Sequence, residues 1–237
     1  MFASRDRCAM LNLQVCRAVI FDLFHTLTSA DVMRLPGKGT SEILGVSSDD
    51  WNKQLLVYSD DRLRGEITDP YEIIEKMAHA IDPAIPVETI EAAVKNRIER
   101  FRYALMNIEE STLSTLSKLK SVGKMLGLVS NADVNEVVGW EGSPLEPFFD
   151  AVIFSCRVGY VKPEREIYEM CLKELNVRPE ECIYVGDGGS DELKGAEEFG
   201  MTTVMTIHVI KHFWPERIAA ARVHADHVID GIEELLG

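Results

Sequence analysis

An α/β fold, a doubly wound parallel sheet carrying one inserted helical block, is predicted by three features of the sequence. Five short runs are almost continuously apolar, as strands covered on both faces require. Helical patterns separate most of these runs, the alternation that lays successive strands parallel. Directly after the first run, from about Val32 to Leu105, the alternation gives way to helical periodicity alone.

The first run is RAVIFD, residues 17 to 22. The helical block that follows holds one pattern from Trp51 to Arg64. A second carries Ile73, Ile74, Met77 and Ile81, and a third carries Ile90, Val94, Ile98, Phe101 and Leu105. Apolar residues three and four apart line one face of a helix, and Pro70, Pro83 and Pro86 punctuate the set. STLSTLSKLKSVG then opens at a cap, Ser111, and stops at Gly123. The second run, KMLGLVS (124 to 130), and the third, AVIFS (151 to 155), come next. PEREIYEMCLKELN starts with Pro163 at a first-turn position, where a missing N–H is harmless, and ends at Asn176. CIYVGD (182 to 187), the helix DELKGAEEFG closing at Gly200, and TTVMT (202 to 206) complete the pattern.

Four strands thus end in Asp22, Ser130, Ser155 and Asp187. Two acids and two hydroxyls reach the carboxyl edge of the sheet, where open sheets of this kind take their ligands. A helical block inserted after the first strand sits over that edge as a lid. The expected organisation is an N-terminal extension (1–16), a core (17–31 and 106–237) and a helical cap (32–105), with no internal repeat.

Composition narrows the function classes. The chain of 237 residues, 46% hydrophobic, can bury a substantial core. Its 25 basic and 39 acidic residues leave a formal charge of -14. That balance argues against general affinity for nucleic acid or an anionic membrane surface, so an anionic ligand needs a local positive feature. No apolar run approaches the ~20 residues that span a bilayer. The opening MFASRDRCAMLNLQVCR lacks the uninterrupted apolar stretch of a signal peptide. Cys8, Cys16, Cys156, Cys171 and Cys182 are odd in number, form no C-x-x-C pair and mostly sit in apolar runs. That is the usage of reduced thiols, and a cytoplasmic location is expected.

Alone, Asp22 reads as a turn residue and Lys162 as a solvated lysine. Four segments in order on the right elements say more: DLFHTLT after the first strand, LVSNA after the second, YVKPE before a helix and GDGGSD after a later strand. With these segments the chain resembles the haloacid dehalogenase-like hydrolase superfamily, from Ala18 to Leu236. The resemblance implies a Rossmann-like core with a helical cap and a hydrolase acting on a small anionic substrate. It implies Asp22 as the nucleophile, and Mg²⁺ held by Asp22, the backbone carbonyl of Phe24 and Asp187, with Asp191 orienting a bound water. Ser130, the Asn131 amide and Lys162 grip the phosphoryl oxygens, and Thr26 supports the loop.

Where phosphatases of that family carry a second aspartate, this chain has Phe24, which can neither give nor take a proton. General acid or base help of that kind is worth ~10² to 10⁴ in rate. Three explanations stand: a substrate whose leaving group needs no proton, substitution by His25, or a domain that binds phosphate and turns over weakly. An aromatic residue there also resembles the dehalogenase branch, in which an aspartate attacks carbon. That branch has a Ser- and Asn-rich segment where this chain keeps the acids of GDGGSD, so a Mg²⁺-dependent phosphohydrolase is the favoured expectation. His208, His212, His224 and His227 have no zinc-site spacing. IKHFWPERIAAAR is expected to form a short helix, with Phe213 and Trp214 packing on the core or serving a homodimer contact. Arg62 and Arg64 either greet an anionic substrate or lie on an exposed helix face.

Overall fold

The computed structural model describes residues 13, 15–29, 35 and 37–237. The expected extension at 1–16, Cys8 within it and the start of the helical block near Val32 lie wholly or largely outside the described residues.

The first strand, β1 (Ala18–Phe21), sends Val19 and Phe21 into one apolar layer and Ala18 and Ile20 into the other. Successive side chains of a strand alternate between faces, so a strand covered on both sides must be apolar throughout.

Among the described residues five helices follow: α1 (Thr40–Leu44), α2 (Ser48–Val57), α3 (Ser59–Leu63), α4 (Pro70–Ile81) and α5 (Val87–Met106). They enclose an apolar centre of their own, built on Leu44, Trp51, Ile73, Ile74, Met77, Ile90 and Ala93. Burying Ile74, Met77 and Ile90 completely contributes about 1.5–3 kcal/mol each. The start of α4 is fixed by Asp69, whose side chain accepts from the Tyr71 and Glu72 amides, with Pro70 in the first turn. The single helix expected from Trp51 to Arg64 is in fact two, broken at Tyr58, and α1 was not expected from the pattern.

The remaining elements are α6 (Glu110–Ser121), β2 (Met125–Ser130), α7 (Val134–Val137), β3 (Ala151–Phe154), α8 (Ser155–Val158), α9 (Arg165–Leu175), β4 (Cys182–Gly186), α10 (Glu192–Phe199), β5 (Thr202–Thr206), α11 (Ile210–Phe213), α12 (Ile218–Ala221) and β6 (His227–Ile229). Two helix starts differ from expectation. Glu109, not Ser111, precedes α6, and α9 begins at Arg165, leaving Pro163 in the loop before it. The predicted stops hold: Asn176 and Gly200 both adopt left-handed backbone, which ends a helix.

All strand pairs are parallel, in the order β3-β2-β1-β4-β5-β6. The chain winds outward from β1 through β2 and β3, then returns to build β4, β5 and β6 on the other side. The winding reverses between β1 and β4, and a crevice forms at the carboxyl ends of such a pair. Ser155 does not join that edge as a free hydroxyl. It opens α8, accepts from the Ala132 amide (3.0 Å) and donates to the Ala132 carbonyl (3.3 Å), bracing the loop after β2. Among the described residues no helix is long and apolar enough to cross a membrane. Cys16, Cys156, Cys171 and Cys182 are free and buried.

Candidate active site

Asp22 directly follows β1 and is 6% exposed. Its two carboxylate oxygens are held separately: the Lys162 ammonium donates to Oδ1 at 2.5 Å, and the Thr26 hydroxyl donates to Oδ2 at 3.1 Å. Lys162 is shared. It also donates to Glu192 Oε2 at 2.5 Å, and the Tyr184 hydroxyl donates to the same oxygen at 2.9 Å. Glu192 Oε1 takes the Gly188 amide at 3.0 Å. Asp187, just past β4, accepts the Gly189 amide at 2.8 Å through Oδ1, and His25 Nδ1 stands 3.5 Å from its Oδ2. Asp22, Asp187 and Glu192 each offer one oxygen within 4.8 Å of the others, and all three are buried.

One ammonium serving several carboxylates sets the electrostatics. Burial by itself would lower the Lys162 pKa, but the charges of Asp22 and Glu192 outweigh it and hold the ammonium well above the usual lysine range. Burial pushes Glu192 up to about 8; the charge of Asp22 adds to the rise, and Lys162 opposes it. Burial also acts upward on Asp187. There the neighbouring His25, the Gly189 amide and Lys162 win, and the carboxyl sits below the ordinary range. The pocket is short of positive charge in the form described.

The turn after β4 decides which acid enters this group. Gly188, Ser190 and Asp191 all have positive φ (90°, 54° and 52°), a left-handed course that costs side-chain-bearing residues about 1–3 kcal/mol each. The turn leaves Asp191 exposed, outside the converging carboxylates, and delivers Glu192, at the start of α10, in its place. Asp191, expected from the sequence to orient a metal-bound water, is thus on the exposed side of the turn, and Glu192 is the acid that joins Asp22 and Asp187. Gly186 is required beside it, because a Cβ there would run into the Glu192 carboxylate.

A cavity of about 700 Å³ opens above these groups. Ser130, at the end of β2, lines it, and its buried hydroxyl has no hydrogen-bond partner among the described residues. A buried polar atom left unpaired costs about 1–3 kcal/mol, which marks this one as waiting for a ligand. The Asn131 side chain is occupied otherwise: it accepts from the Lys162 amide (2.7 Å) and donates to the Lys162 carbonyl (3.1 Å), fixing the loop that carries the lysine. Phe24 lines the cavity half-buried, edge-on to Phe101 of α5 with centroids 5.2 Å apart and planes at 76°. Its ring therefore fastens the first loop to the helical block. His25 also lines the cavity, with φ at 65° and its ring 4.9 Å from that of Trp214.

Arg62 and Arg64 lie on neither an exposed face nor free in the cavity. Arg62, from α3, is buried and donates to Asp133 Oδ2 at 2.9 Å; Arg97, from α5, donates to Glu136 Oε1 at 2.5 Å. Burial and the charge of Asp133 push Glu136 up, and the two arginines oppose the rise. Asp133 and Glu136 also close the first turn of α7 on one another, so the ion cluster ties the helical block to the loop carrying Ser130. Arg64 forks onto Glu164 at 2.6 and 3.0 Å. His224 and His208 meet Glu197 and Glu109, and neither has a metal-like group around it among the described residues.

A family model for haloacid dehalogenase-like hydrolases matches residues 16–200. Glyceraldehyde 3-phosphate phosphatase of Methanocaldococcus jannaschii is 31% identical over 138 residues, 57% of this chain and 58% of that protein. The chain spans about half the length of the curated relatives it matches. Among solved structures, a dehalogenase superposes with a TM-score of 0.66 at 22% identity, covering 94% of this chain and 97% of that one, a likeness of fold. A HAD phosphatase from Thermococcus onnurineus gives 0.58 at 25% identity over 92% of this chain and 95% of its own.

Proposed function

The chain belongs to the haloacid dehalogenase-like hydrolase family, and we propose that within it this protein is a Mg²⁺-dependent phosphohydrolase acting on a small phosphorylated metabolite through an aspartyl-phosphate on Asp22. The observation that carries this is the meeting, in one cavity, of a pinned carboxylate, a shared ammonium, an unpartnered buried hydroxyl and two further acids.

The donor set suits a hard divalent cation, being all oxygen, buried and in excess over its single ammonium. Asp22, the Phe24 carbonyl and Asp187 would hold it. Glu192 has both oxygens taken by Lys162, Tyr184 and Gly188, so it would orient the set from behind, the part expected of Asp191. Bound there, the cation would screen phosphoryl oxygens from the surrounding carboxylates.

The residues divide the remaining work. An Asp22 oxygen attacks phosphorus, the bond to the leaving oxygen breaks, and that oxygen takes a proton. Water then attacks the aspartyl-phosphate, loses a proton and releases phosphate and the free carboxylate. Thr26 keeps the second Asp22 oxygen turned away from the attack. Ser130 Oγ, the Asn131 amide and the Lys162 ammonium bind the phosphoryl oxygens, where charge grows during transfer. Phe24 supplies no proton. His25 takes that part in this reading, supported by its position lining the cavity beside Asp187.

Two measurements test this. With p-nitrophenyl phosphate, phosphate release is expected only with Mg²⁺ present, and no halide is expected from 2-chloropropionate; metal-independent halide release without phosphate release would overturn the proposal. For the proton, His25→Ala is expected to slow ethyl phosphate, a poor leaving group, by about 10² and p-nitrophenyl phosphate far less. Equal losses on both esters would remove His25 from that role.

A further inference from the structure

The stripe of α5 that faces the cavity carries Arg97, Arg100, Phe101 and Ala104, positions that share one side of a helix. Two of these are spoken for. Arg97 is paired with Glu136, and Phe101 meets Phe24 edge-on and lies under the Arg97 guanidinium, 4.8 Å from its centroid. Arg100 is different. It is half-buried, lines the cavity and makes no ion pair among the described residues. In a chain with an excess of 14 negative charges, an arginine at a pocket wall without a carboxylate is an unused anion site. Arg217 also lines the cavity, but it is exposed and sits over the Trp214 ring at 5.0 Å.

Resting on the phosphohydrolase reading, we propose that Arg100 binds a second oxyanion on the substrate, a carboxylate or a further phosphate at the end away from the scissile phosphoryl group. The floor of the cavity offers Lys162 and Ser130 to the phosphoryl group, and these lie on the sheet side; Arg100 lies on the helical block opposite. The volume, about 700 Å³, takes a small two-ended metabolite. Its planar fork of donors fits either oxyanion bidentately. The edge-on contact of Phe24 with Phe101 holds the stripe in place, which gives the aromatic residue in the first motif a part in specificity.

The test compares three esters of one chain length: n-propyl phosphate, 3-phosphonooxypropanoate and 1,3-propanediol bisphosphate. The wild type is expected to prefer an ester with a second anion over propyl phosphate on the order of ten- to hundredfold in kcat/KM, chiefly through KM. The preferred one identifies the oxyanion. Arg100→Ala should bring the ratio close to one. Arg102→Ala, an exposed arginine two positions along the same helix, should leave it as in the wild type. A ratio near one in the wild type, or a preference that survives Arg100→Ala, overturns the proposal. Hydrolysis of p-nitrophenyl phosphate, which has no second anion, is scored alongside. Its absence overturns the phosphohydrolase reading and this site with it, whereas its presence with a flat ratio overturns the Arg100 site alone.

Discussion

Lys162→Met is expected to lower stability more than any other single change in the site, and to lower turnover with it. The ammonium is the cation that Asp22 and Glu192 share, each at 2.5 Å and each buried. Methionine fills similar volume but leaves those carboxylates facing one another and Asp187 without compensation. Removing one partner of a buried ion cluster costs about 3–5 kcal/mol. For a chain of this length that lowers the apparent melting temperature on the order of 10 °C, read by calorimetry. Turnover should fall about 10²- to 10³-fold, as when a donor to developing phosphoryl charge is removed. A melting temperature unchanged by the substitution would mean that Glu192 carries its proton throughout and that the cluster needs no cation.

Asp22→Asn separates the two effects. Losing the attacking carboxylate should reduce turnover on the order of 10⁴-fold or more. Stability should move the other way or hardly at all. Asparagine keeps an oxygen for Lys162 or Thr26, and it removes the charge that helps push Glu192 up to about 8. The melting temperature is expected to match or exceed the wild type. Residual turnover near the wild-type level, measured as phosphate release, would take the nucleophile's role from Asp22.

Five of the six strands were legible because a strand buried on both faces has to spell itself out, as AVIF and CIYVG do. The sixth, HVI, is a three-residue edge strand, only part-buried and too short to stand out. Asp22, Ser130 and Asp187 could be found because each ends or follows such a run, and Lys162 because YVKPE stands before a helix as the family resemblance requires. Glu192 could not be found from spacing alone. Whether Asp191 or its neighbour enters the pocket is settled by two positive φ angles at Ser190 and Asp191, a backbone course that residues without a glycine do not announce. A signal existed in Tyr184, a hydroxyl in the middle of an apolar strand, which needs a partner when buried. The pairing of Arg62 and Arg97 with Asp133 and Glu136 was hidden for another reason. It joins residues 71 and 39 positions apart, and nothing local in either segment points to the other. Phe24 was visible from the start as the place where a proton-transferring acid was missing. Its packing on Phe101 shows what stands there instead, an apolar joint between the first loop and the helical block.

The proposed hydrolysis passes through a covalent bond between Asp22 and phosphorus, and trapping that bond tests it most directly. The protein is mixed with excess p-nitrophenyl phosphate and Mg²⁺, quenched in acid within the first turnover, digested and weighed peptide by peptide. The peptide containing Asp22 is expected to gain the mass of one phosphoryl group, to lose it on treatment with hydroxylamine, and to stay unmodified in Asp22→Asn. Nitrophenol release at the wild-type rate with the Asp22 peptide unmodified at every quench time, or a phosphoryl group on any other residue, would contradict it.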